Sequence, residues 1–65
     1  MCESTVYMER AGAATRELVM EDVVRVAAEG ERIKLTGILG ETCEVTGRIA
    51  EIDLIRHTIT LEQGA

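Results

Sequence analysis

The sequence predicts an all-β protein, a small barrel or sandwich of five to six short antiparallel strands. Apolar residues alternate with polar ones in several runs, and turn residues separate these runs at intervals of about eight to twelve residues. The chain has six glycines and no proline, a composition that suits tight turns between fully hydrogen-bonded strands. With a mass of 7.1 kDa, residues 1–65 are expected to form a single domain.

The first two predicted strands form a hairpin. Residues 5–8 are a short β-type run, and the turn that closes it is centred on Gly12. Residues 16–20 resume the extended pattern and are expected to pair back on the first run. The charged pair at residues 21–22 then interrupts the pattern.

The next segment leaves a choice between strand and helix. Residues 23–28 contain three valines, whose branched side chains are stiff and favour a strand. Residues 15–28 nevertheless contain enough good helix formers to keep a helical alternative open. Gly30 lies at the centre of the tight turn that follows.

Alternation predicts inward-facing side chains in three later strands. Each strand places two apolar residues on one face and polar residues on the other. The inward pairs are Ile33 and Leu35, Cys43 and Val45, and Ile52 and Leu54. Residues 37–40 form a loop bracketed by glycines, and a turn at residues 56–57 leads into the clearest strand of the sequence, residues 58–62.

Composition argues against several classes of protein. Twelve acidic residues outnumber seven basic ones, and Tyr7 is the only aromatic residue, so the chain is not expected to bind nucleic acid. No apolar run approaches the roughly 20 residues of a membrane span. The first residues lack the features of a secretory signal, so a cytoplasmic protein is expected. No nucleophile–base pair or acid–base constellation indicates an enzyme.

Three residues are candidates for metal chemistry. Cys43 has the inward phase of a strand and is interpreted as a small core residue. His57 is the only histidine, but its sequence neighbours add no second donor, so it is interpreted as a solvated turn residue. Cys2 combines a thiolate with its own amide nitrogen and the Met1 amine or, if Met1 is removed, with its own free amine. Such donors suit Ni²⁺ or Cu²⁺, and two chains could supply a full N₂S₂ plane, although most N-terminal cysteines are merely oxidisable.

The order and spacing of these segments resemble the small CooT-type nickel-binding proteins. The resemblance lies in Met1-Cys2 before a short strand, in residues 18–23, and in residues 47–54 with the closing strand 58–62. It implies a homodimer of SH3-like barrels that binds Ni²⁺ between subunits through Cys2. It also implies a metallochaperone that works with the machinery for carbon monoxide dehydrogenase maturation. Because the chain has no histidine-rich tract, one defined site is expected rather than bulk nickel storage.

Two other functions remain open on the sequence. An Sm-like or SH3-like RNA-binding module would need basic residues gathered on one face. The basic residues concerned are Arg25, Arg32, Lys34 and Arg48. A protein-interaction module with no metal role would use exposed apolar residues such as Ile38, Leu39 and Ile55. The same apolar residues would serve dimerisation, so they do not distinguish the hypotheses.

Overall fold

The computed structural model describes residues 3–63, which contain six β-strands and no helix, and hence no helix that could cross a membrane. The strands are β1 (Ser4–Arg10), β2 (Glu17–Glu29), β3 (Arg32–Gly37), β4 (Thr42–Thr46), β5 (Arg48–Asp53) and β6 (Thr58–Gln63). The all-β prediction is therefore confirmed. The helical alternative for residues 15–28 is wrong, because the stiff valines of this segment lie in β2.

All six strands join one sheet in the order β4-β3-β2-β1-β6-β5. The predicted barrel of short antiparallel strands is wrong in three respects. Strands β1 and β6 run parallel, with Val6 beside Ile59, and β2 has 13 residues. The sheet is not closed into a barrel, because β4 and β5 remain its two edges and residues 3–63 contain no ladder between them. Strand β6 covers the edge of β1 that β2 leaves unpaired.

Strand β2 continues through the charged pair that the sequence predicts as a break. Asp22 has a φ of 55°, and the register of β2 shifts against both of its neighbours near this point. Such irregularities are β-bulges, which bend a strand without ending its pairing. The half of β2 up to Val23 pairs with β1, and the half from Val23 onward pairs with β3. β2 is therefore shared by two hairpins, β1–β2 and β2–β3.

The core consists of aliphatic and sulfur-containing side chains. Ile33 and Leu35 are fully buried, as alternation predicts, and Cys43 and Val45 pack against the same cluster from β4. The buried cluster comprises Val6, Met8, Val23, Ile33, Leu35, Ile59 and Leu61. These residues come from β1, β2, β3 and β6, so the two edge strands contribute only partly buried residues or none.

The prediction that Ile52 and Leu54 face the core is wrong. Ile52 pairs with the core residue Ile59, yet 53% of its surface is exposed, and Leu54 is 79% exposed. Ile52 stays exposed because β5 is an edge strand whose outer side has no neighbouring strand. Leu54 lies beyond the end of β5, in the turn to β6. Alternation therefore identifies side chains that share a face, but not whether that face is covered.

Gly47 alone joins β4 to β5 at a crowded corner. Its φ is 154°, and a Cβ atom at this position would lie 2.7 Å from the carbonyl oxygen of Glu62. Its amide donates a hydrogen bond to the carbonyl oxygen of Glu31 over 2.7 Å. The corner thus holds the end of β4 against β6 and the turn between β2 and β3, and it requires glycine.

Candidate functional site

One end of the sheet, which we call the Ser4 end, lies where β1 begins. The name covers Ser4, the loop at residues 38–41 and the turn at residues 54–57. Ser4 pairs with Val23, which pairs in turn with Gly37 at the end of β3. The loop that follows Gly37 therefore protrudes from the same end of the sheet as the start of β1.

The parallel pairing of β1 with β6 brings the turn at residues 54–57 to this end. Thr5 pairs with Thr58, and Thr58 pairs with Asp53 at the end of β5. The turn joins Asp53 to Thr58, so it also borders the start of β1. Two loops that are distant in sequence therefore flank the N-terminal segment of the chain.

His57 lies directly beside the N-terminal strand. The amide of Thr5 donates a hydrogen bond to the carbonyl oxygen of His57 over 2.9 Å. His57 is exposed, has a φ of 56°, and its imidazole forms no hydrogen bond or ion pair with residues 3–63. The sequence does not reveal this contact, because Thr5 and His57 lie near opposite ends of the chain.

Cys2, the predicted nickel ligand, lies outside the described residues, so its role remains a prediction. Thr5, three residues further along the chain, is held beside the turn at residues 54–57 by its hydrogen bond to the carbonyl oxygen of His57.

Two carboxylates, Glu41 at the Ser4 end and Asp53 next to it at the end of β5, accept hydrogen bonds from backbone amides of the adjacent loops. Asp53 accepts hydrogen bonds through Oδ1 from the amides of Ile55 and Arg56, over 3.1 and 3.0 Å. Glu41 accepts a hydrogen bond through Oε1 from the amide of Leu39 over 3.0 Å. Within residues 3–63 no group of three or more His, Cys, Asp or Glu residues could hold a metal ion.

Exposed apolar side chains are concentrated at the Ser4 end. Ile38 and Leu39 are 40% and 89% exposed, and Leu54 and Ile55 are 79% and 91% exposed. The predicted exposure of Ile38, Leu39 and Ile55 is confirmed, and Leu54 joins them. Apolar groups gathered on one surface in this way are typical of sites that bind another protein.

Cys43 lies in β4, opposite Leu35 of β3. It is partly buried and packs against the core, which confirms its interpretation as a small core residue.

Two of the four basic residues considered for RNA binding are paired with carboxylates. Arg32 forms an ion pair with Glu44 over 2.6 Å, and Arg48 forms one with Glu62 over 2.7 Å. Lys34 lies directly across from Glu44 on the neighbouring strand. Acidic side chains thus offset much of the positive charge that a phosphate backbone would need.

A shallow cleft of about 400 Å³ lies near the opposite end of β1. Arg10, Arg16 and Arg48 contribute to its walls, together with glutamates that reduce its positive charge. The Arg16 guanidinium lies 4.5 Å from the centre of the Tyr7 ring and donates a hydrogen bond to Thr60 Oγ1 over 3.3 Å. The sequence gives no signal for this cleft because its walls come from both ends of the chain.

The chain is similar to known proteins both in sequence and in structure. A family model described as "CO dehydrogenase accessory protein CooT" matches residues 1–62. An uncharacterized protein of Archaeoglobus fulgidus is 56% identical over 43 residues, which cover 66% of this chain and 96% of that protein. One from Methanothermobacter thermautotrophicus is 37% identical over 62 residues, which cover 95% of this chain and 89% of that protein. A crystal structure of a protein assigned as CooT in Carboxydothermus hydrogenoformans is similar, with a TM-score of 0.83 and 26% identity over 95% of this chain and 97% of that chain.

Proposed function

The chain belongs to the CooT family of CO dehydrogenase accessory proteins, and we propose that it carries nickel for the maturation of that enzyme. In this role Ni²⁺ is cargo: the protein binds it in the cytoplasm and passes it to the maturation machinery without catalysing a reaction. The observation that carries the proposal is the family match, which extends over residues 1–62 and so includes Cys2.

The donor atoms of Cys2 suit nickel better than a hard cation. Cys2 offers a thiolate and a nitrogen donor, which nickel accepts readily. Mg²⁺ and Ca²⁺ would instead need several free carboxylate or carbonyl oxygens. Asp53 and Glu41, the carboxylates described above, are already engaged with backbone amides. The residues present therefore fit a nitrogen- and sulfur-bound metal.

A homodimer formed at the Ser4 end would complete this site. A two-fold axis there brings the same surface of each chain together, and with it two N-terminal segments. It would also bury the exposed side chains of Ile38, Leu39, Leu54 and Ile55. Burial of apolar surface contributes about 25 cal/mol per Å². This contribution matters for a chain of 65 residues, whose own core provides little surplus stability.

Nickel titration of the purified protein tests the proposal. We expect thiolate-to-nickel charge-transfer absorption that saturates at one Ni²⁺ for two chains. Cys2→Ser should abolish this absorption, whereas Cys43→Ser, the same substitution at the core cysteine, should retain it. Wild-type protein without the absorption, or Cys2→Ser protein that binds as tightly as wild type, would show that the proposal is wrong.

A further inference from the structure

We propose that the cleft between the loop at residues 11–16 and the ends of β1 and β6 binds a small zwitterion, a free amino acid. The ligand carboxylate pairs with Arg16, and the ligand ammonium group pairs with Glu9. Both residues line the cleft, which lies near the end of β1 opposite the Ser4 end. The inference concerns a second site and does not depend on nickel.

The charges of the cleft walls are the first argument. Two of the three arginines in the walls are already paired with glutamates. These ion pairs are Arg10 with Glu17 over 2.9 Å and Arg48 with Glu62 over 2.7 Å. Within residues 3–63, Arg16 and Glu9 form no ion pair with each other or with another residue. The cleft therefore offers one cation and one anion to a ligand, the charge pattern that complements a zwitterion.

The way Arg16 is held is the second argument. Its guanidinium lies 4.5 Å from the centre of the Tyr7 ring and donates a hydrogen bond over 3.3 Å to Oγ1 of Thr60, which is buried. These neutral contacts fix the guanidinium without neutralising its charge. Thr60 takes one N–H donor of the fork, and other donors remain for the two oxygens of a carboxylate. Arg16 is thus oriented before the ligand arrives.

The space in the cleft is the third argument. Its volume is about 400 Å³, which is within the range of small-molecule sites. The loop side is lined by Ala11, Ala13 and Ala14, whose short side chains leave this space open. Hydrogen bonds hold the loop at both of its neighbours: the Ala11 amide donates to the Gln63 carbonyl oxygen, and the Ala13 amide donates to the Arg10 carbonyl oxygen. The cleft is therefore formed in the free protein.

Three related compounds test the inference on wild-type protein. Leucine carries both charged groups, isocaproate lacks the ammonium group, and isoamylamine lacks the carboxylate. In NMR titrations leucine should shift the backbone amide resonances of Ala11, Ala13 and Ala14. Its dissociation constant should be at least about tenfold below that of either analogue, because each analogue loses a hydrogen bond between charged groups.

Matched variants assign the two ends of the ligand. Arg16→Gln should weaken leucine binding about tenfold or more and leave isoamylamine binding unchanged, because only the carboxylate contact is lost. Glu9→Gln should weaken leucine equally and leave isocaproate unchanged. Arg25→Gln and Glu31→Gln remove the same charges outside the cleft and should bind leucine as wild type does.

Several results would overturn the inference. These are unshifted loop amides at about 10 mM leucine, analogues that bind as tightly as leucine, and inorganic phosphate that does so. Equal weakening by the cleft variants and by their controls would show a general effect of charge instead of a site. Cys2→Ser protein should bind leucine as wild type does, so the outcome for this cleft is separate from that for the proposed function.

Discussion

The backbone amide of Thr5 and the carbonyl oxygen of His57 are 2.9 Å apart, although the two residues lie near opposite ends of the chain. This hydrogen bond continues the parallel pairing of β1 with β6. It places the start of the first strand against the turn before the last one. The start of β1 and the turn at residues 54–57 therefore lie at the same end of the sheet.

The exposed apolar residues of the Ser4 end should control self-association. If the proposed homodimer forms through this surface, changing Leu39 and Ile55 together to glutamate should weaken it at least about tenfold, because central apolar contacts dominate such interfaces. Leu18→Glu is the control, since Leu18 is also exposed, at 54%, but pairs with Tyr7 further along β1. Analytical ultracentrifugation measures the dissociation constant. A double variant that dimerises as wild type does would place the interface elsewhere.

Nickel should shift the monomer–dimer equilibrium toward the dimer. A ligand shared by two chains binds only the associated state, so it stabilises that state by mass action. Sedimentation of wild-type protein with and without Ni²⁺ measures this effect, and Cys2→Ser protein should not respond. An unchanged equilibrium in the wild-type protein would mean that each chain binds its metal independently.

Gly47→Ala should destabilise the fold by more than the roughly 1–3 kcal/mol typical of a strained backbone residue. The added methyl group would meet the Glu62 carbonyl oxygen at 2.7 Å, and a φ of 154° does not suit alanine. Gly12→Ala is the matched control, because Gly12 also has a positive φ, 80°, but open space around it. Urea denaturation should show a smaller loss for Gly12→Ala, and equal losses would show that the close contact does not matter.

Leu35→Ala should cost about 2–5 kcal/mol, because Leu35 is fully buried and its removal leaves a cavity in the core. That is a large fraction of the stability of so small a domain. Leu18→Ala, at an exposed position, should stay within about 0.5 kcal/mol of wild type. Thermal unfolding followed by circular dichroism compares the two, and similar melting temperatures would contradict the assigned core.

Asp53→Ala should loosen the turn that carries His57. The substitution removes the acceptor for the amides of Ile55 and Arg56, at a cost of about 1 kcal/mol per hydrogen bond. Asp53→Asn keeps an oxygen at the same position and should lose less, while Glu51→Ala on the exposed face of β5 should be neutral. Hydrogen exchange of the Ile55 and Arg56 amides measures the effect locally. Unchanged protection in Asp53→Ala would show that the carboxylate does not hold the turn.

Much of the fold can be predicted from local patterns. The hairpin turns at Gly12 and Gly30 and the inward phase of Ile33 and Leu35 all agree with the structure. Each depends on residues adjacent in sequence, because turn conformation and side-chain alternation are local properties. The charged pair before Val23 was misleading, since a bulge allows a strand to pass through charged residues without ending.

Local patterns predict only part of the candidate site. Cys2 attracts attention because an N-terminal cysteine can combine two kinds of donor within one residue. His57 is interpreted from the sequence as a solvated turn residue, and its contact with Thr5 is not predicted, because pairing between distant segments leaves no periodic signal. Ile52 was misjudged for a similar reason: its exposure depends on the position of β5 at the edge of the sheet.

Local sequence patterns are enough to predict that the chain is all-β, where several of its turns lie, which residues can form an aliphatic core, and that Cys2 is a candidate metal ligand. The strand order, the parallel contact between β1 and β6, the open edges of the sheet and the placement of His57 beside the start of β1 follow from the three-dimensional structure. The difference lies in the range of the interactions. Turns and alternation depend on neighbouring residues, whereas strand order depends on hydrogen bonds and packing between segments from opposite ends of the chain.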